Sequence, residues 1–189
     1  MSPVPAVLLA AGASRRLGRP KQLVELDGES LLRRICRTAL TGFKPVLVVL
    51  GSGAEAMAAT LAGLPVQTVL NEAWAEGMGS SIRAGVQALP AAGCGAASGV
   101  LLLLCDQPEV DAALLAELGR RHRAEPGAVI ACAYGGVQGT PALFPARSLP
   151  ALAALGGDQG ARGLLRGEAV QAVPFPGGVK DVDRPEDLP

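Results

Sequence analysis

Short apolar runs alternate with stretches of helical periodicity along the whole chain, the pattern of a layered α/β domain whose parallel strands are covered by helices on both faces. The run VPAVLLA (4–10) reads as a first buried strand. A Gly- and Arg-rich loop (11–20) follows. A helix is then predicted over 30–40, with Ser30 placed to cap it and Leu31, Leu32, Ile35 and Leu40 on its inner face. PVLVVL (45–50) is a second strand, 54–61 an Ala-rich helix, 66–70 a third strand, and 80–89 a helix after the loop 71–79. The segment 100–104 is the most hydrophobic strand and is therefore predicted to be central. A helix over 111–123 and a strand over 128–133 lead into a Gly-rich stretch, through Gly135-Gly136 and Gly139-Thr140-Pro141, that predicts a bent hairpin. Short helices near 150–155 and 161–165 and a strand over 169–175 precede an acidic tail. No repeat or linker is visible, and the small-residue run 91–98 is expected to be a mobile surface loop.

At 189 residues the chain fits a single domain over 1–189. The 17 Lys+Arg balance 17 Asp+Glu, which removes any broad attraction to nucleic acid or to an anionic membrane. Trp74, Tyr134 and three Phe are too few to build base-stacking platforms, so no nucleic-acid partner is expected. The apolar runs fall far short of the ~20 residues of a membrane span, and Met1-Ser2-Pro3 lacks the basic start of a signal peptide. A cytoplasmic protein that recognises its partners at a local site is the expectation.

Four cysteines (Cys36, Cys94, Cys105, Cys132) lie far apart with no zinc spacing and are read as buried thiols. The lone His122, in Arg120-Arg121-His122-Arg123, is expected to face solvent, which leaves no base for a hydrolytic triad.

Four segments carry candidate chemistry. The first strand delivers small residues and four cations, from Gly12 through Arg15, Arg16, Arg19 and Lys21, to a strand's carboxyl end, where open α/β sheets bind ligands. Phosphate suits such a loop, because small residues let backbone N–H groups approach an anion and Arg and Lys neutralise it. Composition alone would equally accept a solvated basic turn. Gly51-Ser52-Gly53-Ala54-Glu55-Ala56 resembles a dinucleotide fingerprint, with Glu72 downstream, but a tight strand-to-helix turn explains both glycines without a ligand. The central strand ends in Cys105-Asp106-Gln107-Pro108, and Asp106 there is either a Mg²⁺ ligand or a turn cap. In Asp181-Val182-Asp183 the two carboxylates point the same way in extended geometry, offering a second metal ligand or only a solvated tail.

With these residues in view, the chain resembles the MobA-like nucleotidyltransferases over essentially its whole length, and most closely their molybdenum cofactor cytidylyltransferase branch. The most specific element is Leu9-Ala10-Ala11-Gly12-Ala13-Ser14-Arg15-Arg16-Leu17-Gly18 with Lys21, similar to the family's LAAG-x-S-x-R-[ML]-G…PK pattern. The resemblance implies a three-layer Rossmann-like (GT-A-like) α/β fold with a mostly parallel central sheet. It puts Arg16 and Lys21 on nucleotide phosphates, the backbone of Leu9, Ala10, Ala11 and Gly12 near the base, and Mg²⁺ on Asp106 and Asp183. Asn71, Gly77, Met78, Ser80 and Ser81 are similar to a segment associated with nucleotide and acceptor binding. Gly139-Thr140-Pro141 and 157–162 are similar to segments facing a pterin. Ala10-Ala11-Gly12, where the guanylyl branch reads LAGG, favours CTP, while Arg184 departs from the Thr common in the tail.

The implied reaction moves CMP from CTP to the phosphate of molybdopterin, with a molybdoenzyme or its chaperone as the downstream partner. The triphosphate loop does not identify the acceptor, so a GTP-using or sugar-phosphate transferase and a non-catalytic cofactor carrier remain as alternatives, with a dehydrogenase third.

Overall fold

The computed structural model describes residues 4–94, 98–167 and 170–187. The strand β1 (Ala6–Leu9) is buried on both faces, as its unbroken apolar run requires. The chain then passes through the phosphate-type loop and a 3-10 turn (Lys21–Leu23) to a short hairpin of β2 (Glu25–Leu26) and β3 (Glu29–Ser30). This hairpin was not foreseen. It feeds α1 (Leu31–Leu40), whose first turn is capped by the Ser30 hydroxyl accepting from the Arg33 N–H. β4 (Val46–Leu50), α2 (Ala54–Thr60), β5 (Gln67–Leu70), α3 (Met78–Ala88) and β6 (Gly99–Leu104) continue the alternation. α4 (Ala112–Ala124) is capped by the Asp111 carboxylate, which accepts from the Leu114 N–H at 2.8 Å.

The predicted bent hairpin is β7 (Val129–Tyr134) with β8 (Val137–Pro145), and β8 runs four residues past Pro141. Pairing jumps from Ala131 opposite Ala142 to Cys132 opposite Gly139, so Thr140 and Pro141 are extra residues on β8. A bulge of this kind accommodates a residue that has no N–H for the ladder. The chain closes with α5 (Leu149–Ala153), α6 (Arg162–Gly167) and β9 (Val170–Pro174). Residue 169 of the predicted last strand and part of the predicted 91–98 loop lie outside the described residues.

The seven strands order as β5-β4-β1-β6-β8-β7-β9, which puts β6 at the centre as predicted. Four of the six pairings are parallel; only β8 runs against its neighbours β6 and β7. Side chains alternate across the sheet. Leu8, Val48, Leu101 and Leu103 pack under α1, α2 and α4, while Val7, Val49 and Leu102 pack under α3, α5 and α6. α3 sits so close that a Cβ on Gly85 would collide with Val7 and stand 2.9 Å from Val49 Cγ2. In β1 and β6, Leu9 pairs with Leu104, so the loop after Leu9 and the Cys105-Asp106 turn leave the sheet side by side.

His122 and Cys94 depart from expectation. His122 is fully buried rather than solvated, because it occupies the inner face of α4 against the start of β6; both ring nitrogens lack a partner among the described residues. Burial, and then the charge of Arg123, lowers its pKa, so the ring is neutral at pH 7. Cys36, Cys105 and Cys132 are buried, and desolvation pushes the Cys36 and Cys132 thiols up to about 12, whereas Cys94 is only half-buried. No helix is long and apolar enough to cross a membrane among the described residues.

Candidate functional site

A cleft of ≈ 430 Å3 opens at the carboxyl edge of β1 and β6. Leu9, Ala10, Ala11, Gly12 and Ala13 form one wall, Lys21, Gln22 and Asp106 the floor, and Trp74, Met78, Ser81 and Asp158 the far side. The first-loop and central-strand motifs therefore meet here, although 85 residues separate Lys21 from Asp106.

Lys21 is the hub. Its ammonium donates to Asp106 Oδ2 at 2.5 Å and to Asp183 Oδ1 at 2.8 Å, with side chains 17%, 12% and 41% exposed respectively. Burial opposes the charge on Lys21, but the Asp106 carboxylate and then Asp183 outweigh it, and the pKa rises well above the ordinary lysine value. The hydrogen bond from Lys21 likewise holds Asp183 below the usual carboxylate range. Arg16 reaches the same carboxylate from outside, its Nη1 2.9 Å from Asp183 Oδ2.

The tail reaches this point because Val182 is buried with Leu17, Val24 and Leu31, and its N–H donates to the Asp106 carbonyl at 2.9 Å. Asp181 lines a neighbouring groove, yet it stands near enough to the cluster that burial, and then the Asp106 and Asp183 carboxylates, push its pKa up to about 6. Asp106 Oδ1 is buried without a partner among the described residues, an acceptor left over for a cation. No group of three or more His, Cys, Asp or Glu gathers around a metal position among the described residues. Two carboxylates suit a hard cation that keeps water and takes its other oxygens from substrate phosphates.

The loop itself is held by Gln22, which sequence reasoning passed over. Its side-chain amide donates to the carbonyls of Ala10 at 2.9 Å and Gly12 at 2.8 Å, and its Oε1 accepts from the Ser14 hydroxyl. Ser14, at φ 50°, also accepts the Lys21 N–H at 3.0 Å, which sets the lysine's direction. Of the two consecutive arginines, Arg15 lines the cleft, whereas Arg16 engages the tail.

Asn71, Ser80 and Ser81 form one buried knot. Asn71 Nδ2 donates to both hydroxyls, at 2.9 and 3.0 Å, and its Oδ1 accepts from the Ala73 N–H. The knot fixes the start of α3, and Ser81 is its member on the cleft wall. Gly77 and Gly79 then let the segment 156–159 pack against that start, with the Gly79 N–H donating to the Gly157 carbonyl at 2.9 Å. Gly51 has a packing reason as well: a Cβ there would stand 2.6 Å from Trp74 Cβ. Of the dinucleotide-like glycines, Gly51 thus seats a tryptophan, Gly53 takes the left-handed φ of 69° that opens α2, and neither lines the cleft.

A second cleft, ≈ 880 Å3, opens between Tyr134, Gln138, Arg162, Arg166 and Phe175, beyond the same segment 156–162. Tyr134 stands edge-on to Phe175, with centroids 5.9 Å apart, and its hydroxyl accepts from Gln107, the residue after Asp106.

A family model described as the MobA-like NTP transferase domain matches residues 6–173. The chain is 37% identical to a nicotine blue oxidoreductase of Paenarthrobacter nicotinovorans, over 86% of this chain and 81% of that protein. It is 35% identical to a probable molybdenum cofactor guanylyltransferase of Opitutus terrae, over 78% and 69%. Among solved structures, Rv0371c of Mycobacterium tuberculosis superposes with a TM-score of 0.86 at 30% identity, covering 98% of this chain and 95% of that one. A manganese complex of Rv0371c gives a TM-score of 0.80 at 27% identity, covering 98% and 96%.

Proposed function

Because the chain belongs to the MobA-like NTP transferase family, we propose that its one domain, 1–189, transfers CMP from CTP to the phosphate of molybdopterin and releases pyrophosphate. The observation that carries this is the Asp106–Lys21–Asp183 cluster directly beneath a Gly-rich loop, a meeting of metal-type carboxylates and a phosphate-type cation in one cleft. Asp106 and Asp183 would hold Mg²⁺, and the leftover Asp106 Oδ1 fits that role. The manganese complex of Rv0371c, a structure of the same fold at 27% identity, supports the use of a divalent ion. Bound there, the ion supplies charge neutralisation at the reacting phosphates.

The acceptor phosphate is already a nucleophile. One of its oxygens bonds to the α-phosphorus as the bond to the β-phosphate oxygen breaks, and the electron pair leaves with pyrophosphate, so no general base is needed. That suits a site whose neighbourhood contains no histidine. Lys21, Arg15 and Arg16 neutralise the charge that collects on the leaving group, and the backbone of Leu9 to Gly12 lies along the base. Asn71 and Ser80 act on the nucleotide through Ser81 and the placement of α3. The Tyr134–Arg162–Arg166 cleft takes the acceptor, held in line with the α-phosphorus. The reaction is assigned to the cytoplasm, with a molybdoenzyme or its chaperone receiving the product.

Pyrophosphate release from CTP and GTP, measured with molybdopterin, sugar phosphates and no acceptor, tests this reading. Release with CTP and molybdopterin alone supports it, and a preference for GTP or for a sugar phosphate replaces it. A second reading, oxidoreduction, is favoured by the 37% identity to a protein named nicotine blue oxidoreductase. Binding and oxidation of NADH, with no pyrophosphate chemistry, would carry that reading instead.

A further inference from the structure

The hydrogen-bond accounting of the first loop is one-sided. All three carbonyls of Ala10, Ala11 and Gly12 are engaged: those of Ala10 and Gly12 by Gln22 and that of Ala11 by the Ser52 N–H at 3.1 Å. The backbone N–H groups of residues 11–16, by contrast, have no partner among the described residues. In a trans peptide the carbonyl and the following N–H point in opposite directions. Drawing the Ala10 and Gly12 carbonyls onto Gln22 therefore turns the N–H groups of Ala11 and Ala13 away from it, on residues that line the cleft. Gln22 itself is 1% exposed, so this donor-only arrangement is fixed by a buried side chain.

A surface that offers only donors discriminates among bases. Cytosine presents two acceptors, O2 and N3, beside one amine. Guanine presents the N1–H and the N2 amine, two donors that need carbonyls to receive them, beside one acceptor. A donor left without an acceptor in a closed site costs far more than a missing methyl contact. We infer that Gln22 is a specificity-determining positioning residue: by holding the Ala10 and Gly12 carbonyls on the side opposite the free N–H groups it keeps them from guanine's donors and selects an acceptor-edged base. This rests on the proposed placement of the base along residues 9–12.

Gln22→Met keeps the side-chain volume and removes both donors; Gln22→Ala removes the side chain as well. Binding of CTP, GTP and ITP with Mg²⁺ by calorimetry, alongside kcat and KM, gives the test. The expected result is a shift of the GTP-to-CTP ratios of Kd and of kcat/KM toward GTP by about tenfold or more in Gln22→Met. ITP, which lacks the N2 amine, should gain less than GTP. Parallel losses for all three nucleotides in both variants, tracking a lower Tm, would mean that Gln22 only supports the loop and would overturn the inference. An unchanged ratio in well-folded Gln22→Met would overturn it too. If the wild-type protein binds no nucleoside triphosphate, the proposed function falls and the inference falls with it, a result distinguishable from an unchanged ratio.

Discussion

Lys21 stands between Asp106 and Asp183, the two carboxylates of the proposed metal site, so a bound cation would compete with the lysine for them. Lys21→Ala should therefore bind Mn²⁺ more tightly than wild type in the absence of nucleotide while binding CTP more weakly. Titration of free Mn²⁺ by electron paramagnetic resonance reads the first effect, and equal Mn²⁺ affinity in both proteins would contradict it. Asp106→Asn keeps the shape but removes the charge, and turnover should fall about 10²-fold or more with the fold intact. With the base placed along residues 9–12 as proposed, the Ala11 methyl would narrow its pocket, and Ala11→Gly should let GTP compete better by no more than about 1–3 kcal/mol. His122 carries a different expectation. Its pKa is lowered in the folded protein, so below pH ~6.5 the unfolded chain takes up a proton that the native ring resists, and stability should decline as pH falls. His122→Leu should flatten that decline in urea midpoints measured between pH 7.5 and 5.

The roles of single residues were unevenly visible in the sequence. Lys21 and Asp106 were legible because a cation in the Gly-rich loop after the first strand and a carboxylate at the end of the central strand both fall where open α/β sheets bind ligands. Gln22 and His122 were not. A glutamine beside a lysine looks like surface, and a histidine among three arginines looks solvated, yet both are buried by contacts with residues distant in the chain.

Elements were more legible than residues. The strands and helices of the first half follow directly from apolar runs and caps such as Ser30. β8 was legible only as the second arm of a bent hairpin, without its extent, because Gly139, Pro141 and Pro145 interrupt its pattern, and the bulge opposite Cys132 shows how a strand tolerates them. Close packing of α3 is another feature that periodicity cannot express. Gly85→Ala raises helix propensity by about 1 kcal/mol, but its methyl would strike Val7 and press on Val49. The overpacking term, about 1–3 kcal/mol, should win, giving a net loss of stability in chemical denaturation. A gain would mean that α3 slides outward at little cost.

On the scale of the whole molecule, the cleft draws on both ends of the sequence: Lys21 and Asp183 meet across 162 residues. Removal of the chain after residue 180 should leave the sheet folded, since no strand is lost, but take away Val182 and Asp183 and with them tight metal binding. Far-UV circular dichroism and Mn²⁺ titration separate these outcomes. The long closure also gives the ligand a second part to play. A site that exists only when the first loop, the central strand and the tail are all in place is absent from the unfolded chain. Every molecule of nucleotide bound therefore counts toward folding. At a concentration of 100 Kd this linkage adds about 2.7 kcal/mol, a rise in Tm of roughly 5–10 °C for a chain of this size. In a cell where the nucleotide is plentiful, the substrate would then be part of what keeps the enzyme from the proteases, and starvation for it would be felt as a loss of protein before it was felt as a loss of turnover.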